Sequence, residues 1–297
     1  MFNKEGHSSF IYHLSDLHLG PKKKLKAVSN LLDSLDECDH YAHSPHSKQV
    51  FITGDLMNSP NTKNMYQANS FMTMIRKRYK ADITFVLGNH DMIVKGLSIG
   101  GRQRTKVIAY LLGEKIKVIE KDKIVLVKID SNAGGNLARG MITRRQLDQI
   151  DSELAGIENL EDYTIVVLLH HHVFKVSKSD FLKIQWREKS IFGSIMDKSK
   201  ALVDANMFAT WLQQRHIKYV LHGHKHVPYF MNKKGTYYIS AGSATGGLKE
   251  SESHYYSYNV LRYDYMDKKM KTCLIFYDDN KKAERKRVEV YLMEEDK

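Results

Sequence analysis

Short apolar runs that end in Gly, Asp, His or Asn recur along this chain. They are rich in β-branched and aromatic residues, and polar residues bound them on both sides. Runs of this length and composition are typical of buried β-strands. The pattern predicts strands at Phe10–Leu14, Val50–Thr53, Ile83–Leu87, Ile124–Ile129, Tyr163–Leu169, Lys218–Leu221 and Thr236–Ser240.

Between these runs, apolar residues recur at the spacing of an α-helix. The periodicity predicts helices at Leu25–Leu35, Met65–Tyr79, Thr105–Leu112, Arg144–Leu154 and Ala205–Arg215. Strands that alternate with helices indicate an α/β domain. In such domains ligands bind beyond the carboxyl ends of the strands, so those ends are where functional residues are expected.

The last part of the chain has a different pattern. Tyr256–Tyr265, Lys271–Tyr277 and Arg287–Leu292 alternate like antiparallel strands joined by short turns. No linker rich in Pro, Gly or Ser precedes them, so we predict a single domain over residues 1–297. Two stretches, Met92–Arg104 and Val173–Asp204, show no clear pattern and are expected to form loops beside the site.

Composition narrows the classes of protein that fit. The chain has 297 residues, 42% of them hydrophobic, which excludes a disordered chain. No apolar run approaches the ~18 residues of a membrane span, and the N-terminus lacks a signal-peptide pattern. Only Cys38 and Cys273 are present, which favours a reducing, cytoplasmic location over a disulfide framework. The formal net charge of +12 indicates an anionic partner.

Five clusters of metal-ligand residue types follow predicted strands, and they hold eight of the fifteen histidines. A single cluster of this kind is common by chance, but five in order, each at a strand end, predict a metal centre. They are Asp16-Leu17-His18, Gly54-Asp55, Gly88-Asn89-His90-Asp91, His170-His171-His172 and His222-Gly223-His224-Lys225-His226.

The number of ligands predicts two metal ions. In an extended segment residues i and i+2 point the same way, so Asp16 and His18 can share one ion. A carboxylate has two oxygens, and Asp55 can therefore bridge two ions. The first ion would take Asp16, His18 and His226, and the second Asn89, His170 and His224, with Asp55 between them. The oxygen and nitrogen donors exclude a structural thiolate zinc site and suit Mn, Fe, Zn or Co, with Mn or Fe favoured.

The motifs D-x-H, G-D, G-N-H-D, a His-His pair and G-H-x-H, in this order, resemble those of the calcineurin-like metallophosphoesterase family. The resemblance covers residues 10–247 and leaves no ligand missing. It implies an α/β fold in which a two-sheet β-sandwich is flanked by helices in four layers, α/β/β/α, as a single domain. The antiparallel strands within residues 248–297 would complete the second sheet.

The resemblance also implies roles for individual residues. It gives the same seven metal ligands, with His170 preferred because it comes first after its strand, and His171 in reserve. His90 resembles the histidine that protonates the leaving group, and Asp91 a residue that holds a loop or ligand in place. The implied reaction is in-line attack on phosphorus by a metal-bridging hydroxide.

Differences among branches of the family narrow the expected substrate. Ser/Thr protein phosphatases carry G-D-x-V-D-R-G and G-N-H-E, whereas this chain has G-D-L-M-N-S and G-N-H-D. Purple acid phosphatases use a tyrosinate, and no Tyr closely follows Asp55. Arg139-Gly140, Gln146, the three histidines and Ala241–Ala244 resemble the bacterial branch that includes cyclic-nucleotide phosphodiesterases. Hydrolysis of a nucleotide-type phosphodiester is therefore the expected activity.

Other functions stay open. A nuclease of the same family would use nearby basic residues, namely lysines within residues 22–26 and Arg102, Arg104 and Lys106, to bind phosphates. A broad-specificity phosphomonoesterase is a further alternative. A binding scaffold on an inactive phosphoesterase fold is disfavoured because every ligand and His90 are present. The expected partner is an anionic phosphoester, with cyclic nucleotides and nucleic acid both open and the oligomeric state undetermined.

Overall fold

The strands and helices of the protein are described from a computed structural model. It describes residues 8–20, 24–40, 45–94, 97–98, 113–133, 139–175, 201–245, 255–278 and 288–292. The strands are β1 (Ser8–Leu14), β2 (Ser47–Thr53), β3 (Asp82–Val86), β4 (Ile93–Val94), β5 (Leu97–Ser98), β6 (Ile116–Ile119), β7 (Ile124–Lys128), β8 (Thr164–Leu168), β9 (Tyr219–His222), β10 (Pro228–Lys233), β11 (Thr236–Ala241), β12 (Tyr255–Asp264), β13 (Lys269–Asp278) and β14 (Val288–Leu292). The α-helices are α1 (Lys24–His40), α2 (Thr62–Tyr79), α3 (Arg144–Ala155) and α4 (Ala205–Gln214).

Two six-stranded mixed sheets form the centre of the molecule. The first has the order β14-β13-β12-β1-β2-β3, with β1, β2 and β3 parallel and β12 to β14 antiparallel. The second has the order β10-β11-β9-β8-β7-β6, with β7, β8, β9 and β11 parallel to one another. The strands near the end of the chain thus extend the sheet that contains β1.

Both faces of the central strands are buried, which explains their continuous apolar runs. In β1, Ile11 packs in the core between the two sheets, whereas Tyr12 belongs to the core beneath α1 and α2. The helices α3 and α4 cover the other sheet, where Ile150 and Phe208 pack on strands such as β8. The layers are therefore α/β/β/α, and this confirms the fold class predicted from the sequence.

The predicted elements agree with the structure wherever it describes them, but four described strands were not predicted. The two-residue strands β4 and β5 pair with each other within Met92–Arg104, which the sequence argument treats as a loop. The other two are β6 and β10. Strand β6 has only four residues, one of them Lys, and β10 begins with Pro228 directly after a histidine cluster. Neither gives a clear apolar run. The predicted helix Thr105–Leu112 lies outside the described residues, as do much of Met92–Arg104 and residues 176–200. Among the described helices, none is both long and apolar enough to cross a membrane.

Candidate metal centre

The loops that follow β1 and β2 lie side by side at one edge of the sandwich. The Asp16 amide donates to the Gly54 carbonyl over 3.0 Å, and the His18 amide donates to the Asp55 carbonyl over 2.8 Å. In the second sheet, the Gly223 amide after β9 donates to the His170 carbonyl after β8 over 3.1 Å. The His224 amide then donates to Asp16 Oδ2 over 3.0 Å and so links the loops of the two sheets. The carboxyl ends of strands from both sheets therefore meet here, as expected for a ligand site in an α/β fold.

The backbone at this edge is left-handed rather than extended. Asp16, His18 and Asp55 have φ angles of 53°, 44° and 49°, and His224 and His226 have 75° and 56°. Residues other than glycine rarely adopt this conformation, and it clusters at functional sites. The side chains of Asp16 and His18 do converge, but the extended i, i+2 geometry given by the sequence argument is wrong. Alternate left-handed residues bring them together.

One group of side chains, the first ligand set, consists of Asp16, His18, Asp55 and His226. Their donor atoms all lie within 4.8 Å of one another. The Nε2 atoms of His18 and His226 are 3.1 Å apart, and His226 Nε2 is 3.2 Å from Asp16 Oδ1. His18 Nε2 lies 3.9 Å from the same oxygen of Asp16 and 3.7 Å from Asp55 Oδ2.

A second ligand set lies beside the first and consists of Asp55, Asn89, His170 and His224. Asn89 Oδ1 is 3.0 Å from His170 Nε2 and 3.2 Å from His224 Nδ1. The two histidine nitrogens are 3.2 Å apart. His170 Nε2 is also 3.4 Å from Asp55 Oδ2, so the two sets share one oxygen of Asp55.

The other oxygen of Asp55 is directed elsewhere. Asp55 Oδ1 accepts a hydrogen bond from the His90 backbone amide over 2.8 Å. Oδ2 alone faces His18 on one side and His170 on the other. Oδ2 is therefore the oxygen of Asp55 that both ligand sets share, while Oδ1 is held by the backbone.

The spacing of the donor atoms fits transition metals. Bonds of about 2.0–2.2 Å place neighbouring ligands around one ion roughly 3.0–3.5 Å apart. Most contacts within the two sets fall in this range. The tautomer of His170 also fits, because its Nδ1–H donates to the Thr53 carbonyl over 2.9 Å. That bond leaves the lone pair of Nε2 directed at the cluster, which is the usual arrangement of a metal-binding histidine.

Burial and neighbouring charges set the pKa values of these groups. Burial would raise the pKa of Asp16, but His226 and His170 outweigh it and lower that pKa to about 2. The pKa of Asp55 is lowered in the same way, by His170 and His18. Burial would lower the pKa of His170, but Asp55 outweighs it and the pKa rises to about 9. Both carboxylates are therefore ionised at neutral pH, and a bound cation would displace a proton from His170.

Small residues let the loops approach so closely. A Cβ atom at Gly54 would lie 2.4 Å from His170 Nδ1, and one at Gly88 would lie 2.1 Å from Asp55 Oδ1. A Cβ atom at Gly223 would lie 1.8 Å from Ser15 Oγ. Each of these glycines adjoins a predicted ligand, so their presence in the motifs follows from steric contact as well as from chemistry.

His90 lies beside the two ligand sets rather than within them. Its side chain is exposed, and its ring meets that of His18 edge to face with centroids 4.7 Å apart. Its Nδ1–H donates to the Asn58 carbonyl over 3.3 Å. This contact leaves Nε2 as the nitrogen available to exchange a proton with a bound molecule.

Asp91 connects the loops that carry the ligands. Its Oδ2 accepts from the Gly88 and Leu56 amides over 2.9 and 3.2 Å, and its Oδ1 accepts from the Met57 amide over 2.8 Å. The carboxylate is fully buried, and burial together with the charge of Asp55 raises its pKa to about 7. Asp91 thus accepts hydrogen bonds from the backbone of the loops after β2 and β3.

The neighbouring histidines have other surroundings. His171 Nδ1 lies 2.8 Å from Ser131 Oγ, and the His171 backbone amide donates to the same oxygen. The structure therefore brings His170, and not His171, to Asn89. Sequence reasoning missed Ser131 and the Thr53 carbonyl, because neither belongs to a motif and no sequence signal marks a backbone acceptor.

Other residues chosen from the sequence are placed away from the donor atoms or are not described. The Gln146 amide bonds both backbone groups of Asp130, over 2.8 and 3.0 Å, and so holds the loop after β7. Gly140 packs against the ring of His171. Lys22, Lys23, Arg102, Arg104 and Lys106 lie outside the described residues.

The sequence profile described as calcineurin-like phosphoesterase matches residues 11–228. The match spans well over half of the chain, so the chain belongs to the calcineurin-like phosphoesterase family. It begins in β1 and ends at the first residue of β10, and it contains all seven predicted ligands. Membership confirms the family expected from the motifs, and it implies hydrolysis of phosphoesters as the class of activity.

Solved structures show the same fold. A dimetal phosphatase from Danio rerio is 11% identical, with 96% of this chain and 99% of that chain covered and a TM-score of 0.60. GAP50, described as the anchor in the inner membrane complex of Plasmodium, is 10% identical, with 97% and 90% covered and a TM-score of 0.51. At these identities the likeness concerns the fold alone. No curated protein sequence matches the chain significantly.

Proposed function

We propose that this chain binds two transition-metal ions and hydrolyses a nucleotide-type phosphodiester. One observation carries the two-metal part of the proposal, which is that two ligand sets meet at a single oxygen, Asp55 Oδ2. A lone metal site would need only one set. The dimetal phosphatase from Danio rerio, which shares the fold, is consistent with two ions.

The proposed ligands of the two ions correspond to the first and second ligand sets. The first ion would be held by Asp16, His18 and His226, the second by Asn89, His170 and His224, and Asp55 would contact both. Carboxylate, amide and imidazole donors without thiolate suit Mn, Fe, Zn or Co. Among these we favour Mn or Fe.

Two bound ions would supply a water of lowered pKa and a clamp for the phosphoryl oxygens. The chain itself supplies two buried carboxylates beside the positions where the ions would bind. Asp16 is fully buried and Asp55 is 2% exposed, so their charges act on cations with little screening by solvent. The half-buried His226 lies on the more open side of the cluster, where a phosphoester would approach.

We propose His90 as the proton donor to the leaving group. Departure of an alkoxide from phosphorus places negative charge on an oxygen that needs a proton. His90 is exposed next to the first ligand set, and its Nδ1–H is held by the Asn58 carbonyl. The other ring nitrogen can therefore carry the donated proton while the ring keeps its orientation.

The preference for a diester rests on the sequence motifs. The chain lacks the tyrosine expected near Asp55 in purple acid phosphatases and the G-D-x-V-D-R-G block of protein phosphatases. The Ala241–Ala244 and His170–His172 motifs resemble the bacterial phosphodiesterase branch. These features favour a diester of small size, such as a cyclic nucleotide, as the substrate class.

Matched substrates test the proposal. Protein reconstituted with Mn²⁺ would be assayed on aryl phosphate mono- and diesters, cyclic nucleotides and short oligonucleotides. We expect a higher kcat/KM for the aryl diester than for the monoester. Asn89→Ala serves as the site control with every substrate, and His90→Asn with the substrates that have alkoxide leaving groups. A preference for the monoester would overturn the diesterase proposal. A preference for oligonucleotides that weakens steeply with salt would favour a nuclease instead.

A further inference from the structure

The turn that follows β11, residues 242–245, lies against the loop that carries Asp16 and His18. The Ala244 amide donates to the Ser15 carbonyl over 2.9 Å. Ser243 Oγ donates to the Asp16 carbonyl over 2.9 Å, and Thr245 Oγ1 donates to the Leu17 carbonyl. Three consecutive carbonyls of the ligand loop are therefore held by three consecutive residues of the 242–245 turn.

The loop needs external support because its backbone is strained. Asp16 and His18 both adopt left-handed φ angles, of 53° and 44°, although neither is glycine. Such conformations persist only where surrounding contacts fix them. The hydrogen bonds of the turn are accepted by the carbonyls of Ser15, Asp16 and Leu17. These residues include the strained Asp16 and end directly before the strained His18.

The 242–245 turn is itself fixed to the first sheet. The Ser257 amide in β12 donates to the Ser243 carbonyl over 2.9 Å, and Tyr277 Oη in β13 donates to the Ala244 carbonyl. Gly242 has a φ of 74°, and a Cβ atom there would lie 2.1 Å from Ser257 Oγ. Ser243 and Thr245 are both buried. The turn therefore offers a rigid support rather than a flexible contact.

We propose that Ser243 and Thr245 are positioning residues for the first ligand set. By fixing the Asp16 and Leu17 carbonyls, they fix the direction of the Asp16 and His18 side chains. The turn makes no such hydrogen bond to the loops after β3 and β8 that carry Asn89 and His170 in the contacts of the described residues. The second set is linked to the supported loop only indirectly, through the His224 amide, which donates to Asp16 Oδ2 over 3.0 Å, and through the shared Asp55. The inference rests on the proposed two-metal function and concerns affinity for the first ion specifically.

Loss of the Thr245 hydroxyl tests this directly. In Thr245→Val the Leu17 carbonyl loses its donor inside the protein, and the ligand loop can relax from its left-handed form. Titration calorimetry of metal-free protein with Mn²⁺ should show one ion bound at least tenfold more weakly and the other weakened several-fold less. The hydroxyl of Thr245→Ser should restore tight binding. Turnover of Thr245→Val should approach the wild-type kcat once Mn²⁺ saturates both sites.

Thr236→Val provides a matched control. Thr236 lies on β11, is buried, and donates Oγ1 to the Ile217 carbonyl over 2.9 Å, far from the ligand loop. It should lower stability while leaving both Mn²⁺ affinities unchanged. Equal weakening of both ions in Thr245→Val, wild-type affinity in it, or the same selective loss in Thr236→Val would overturn the positioning role. Wild-type protein that binds a single ion would overturn the two-metal proposal. In that case, weaker binding of the single ion in Thr245→Val would uphold the positioning role, and unchanged binding would overturn it.

Discussion

His90 is the residue whose role separates binding from catalysis most clearly. It contacts the ligand sets through its backbone amide and the edge of its ring, while its Nε2 atom is not needed to hold a metal. We predict that His90→Asn keeps the metal content and loses turnover by about 10²- to 10⁴-fold on substrates with alkoxide leaving groups. Initial rates measured alongside metal analysis check this.

The leaving group supplies the control for that prediction. A nitrophenolate departs without help from an acid, so the same variant should lose far less activity on nitrophenyl esters. An equal loss on both kinds of substrate, or unchanged turnover on alkoxide esters, would exclude His90 as the proton donor.

Asp91 is expected to contribute to stability rather than to chemistry. Its carboxylate accepts from three buried amides, and in Asp91→Ala all three would lack their acceptor. We predict a loss of about 3 kcal/mol in the free energy of unfolding, measured by urea denaturation. Asp82 begins β3, and its carboxylate is mostly exposed. Asp82→Ala should therefore change the free energy of unfolding by less than about 0.5 kcal/mol. A similar loss in both variants would argue against the role of Asp91.

At the scale of elements, the loops and not the strands determine the site. The Gly223 position shows this, because a Cβ atom there would lie 1.8 Å from Ser15 Oγ and 2.5 Å from Asp16 Oδ2. We predict that Gly223→Ala pushes the His224 loop away from Asp16 and weakens Mn²⁺ binding by tenfold or more, as measured by calorimetry.

The helix end at Gly156 gives a matched comparison. Gly156 has a φ of −83°, and a Cβ atom there would come no closer than 3.4 Å to the Glu153 carbonyl. Gly156→Ala should therefore bind Mn²⁺ like the wild type. Wild-type metal affinity in Gly223→Ala would contradict the steric argument.

The sequence predicts strands and helices well here because most elements have continuous or periodic apolar patterns. It misses β4 and β5, which have only two residues each. It also misses β6, a four-residue strand with a lysine, and β10, which starts with Pro228, because neither gives such a pattern. It places the ligands at the right strand ends but not their backbone conformation. The left-handed Asp16 and His18 lie in a loop that is hydrogen-bonded to the loop after β2 and to residues more than 200 positions away, and local sequence does not encode those contacts.

At the scale of the whole molecule, neutral histidines lie between the two sheets. His13 Nε2 lies 3.0 Å from Thr53 Oγ1, and its Nδ1 accepts from the Asn259 amide, which also donates to the Ser240 carbonyl of the other sheet. Burial, reinforced by His222, lowers the pKa of His13 to about 3. Burial likewise lowers the pKa of His222 to about 3.

These two histidines should make the metal-free protein sensitive to acid. Below pH 6.5 the unfolded chain binds protons at both residues while the folded chain does not, so stability falls as the pH falls toward 3. Each should cost roughly 2 kcal/mol between pH 6.5 and pH 5. Urea denaturation at several pH values in this interval measures the loss of unfolding free energy. His13→Gln should reduce that loss by about half of the amount that His13 and His222 contribute together. Stability that stays constant from pH 6.5 to 5, or a loss that His13→Gln leaves unchanged, would contradict this account.

The position of the candidate metal centre indicates where on the molecule positive charge would be concentrated. The sum of +12 counts no histidine, and seven of the fifteen histidines line or adjoin the two ligand sets. Two bound ions would add positive charge to an edge that holds only Asp16 and Asp55 as ligand carboxylates. That edge is therefore where an anionic phosphoester would be attracted.

Metal stoichiometry tests the central claim most directly. Metal-free protein would be titrated with Mn²⁺ by calorimetry, and the content of the washed protein measured by mass spectrometry. We predict two ions per wild-type chain, one in Asn89→Ala, which retains only the complete first ligand set, and impaired binding of both in Asp55→Ala. A single ion in the wild type at saturation, or two tightly bound ions in Asp55→Ala, would contradict the shared-carboxylate centre proposed for this chain.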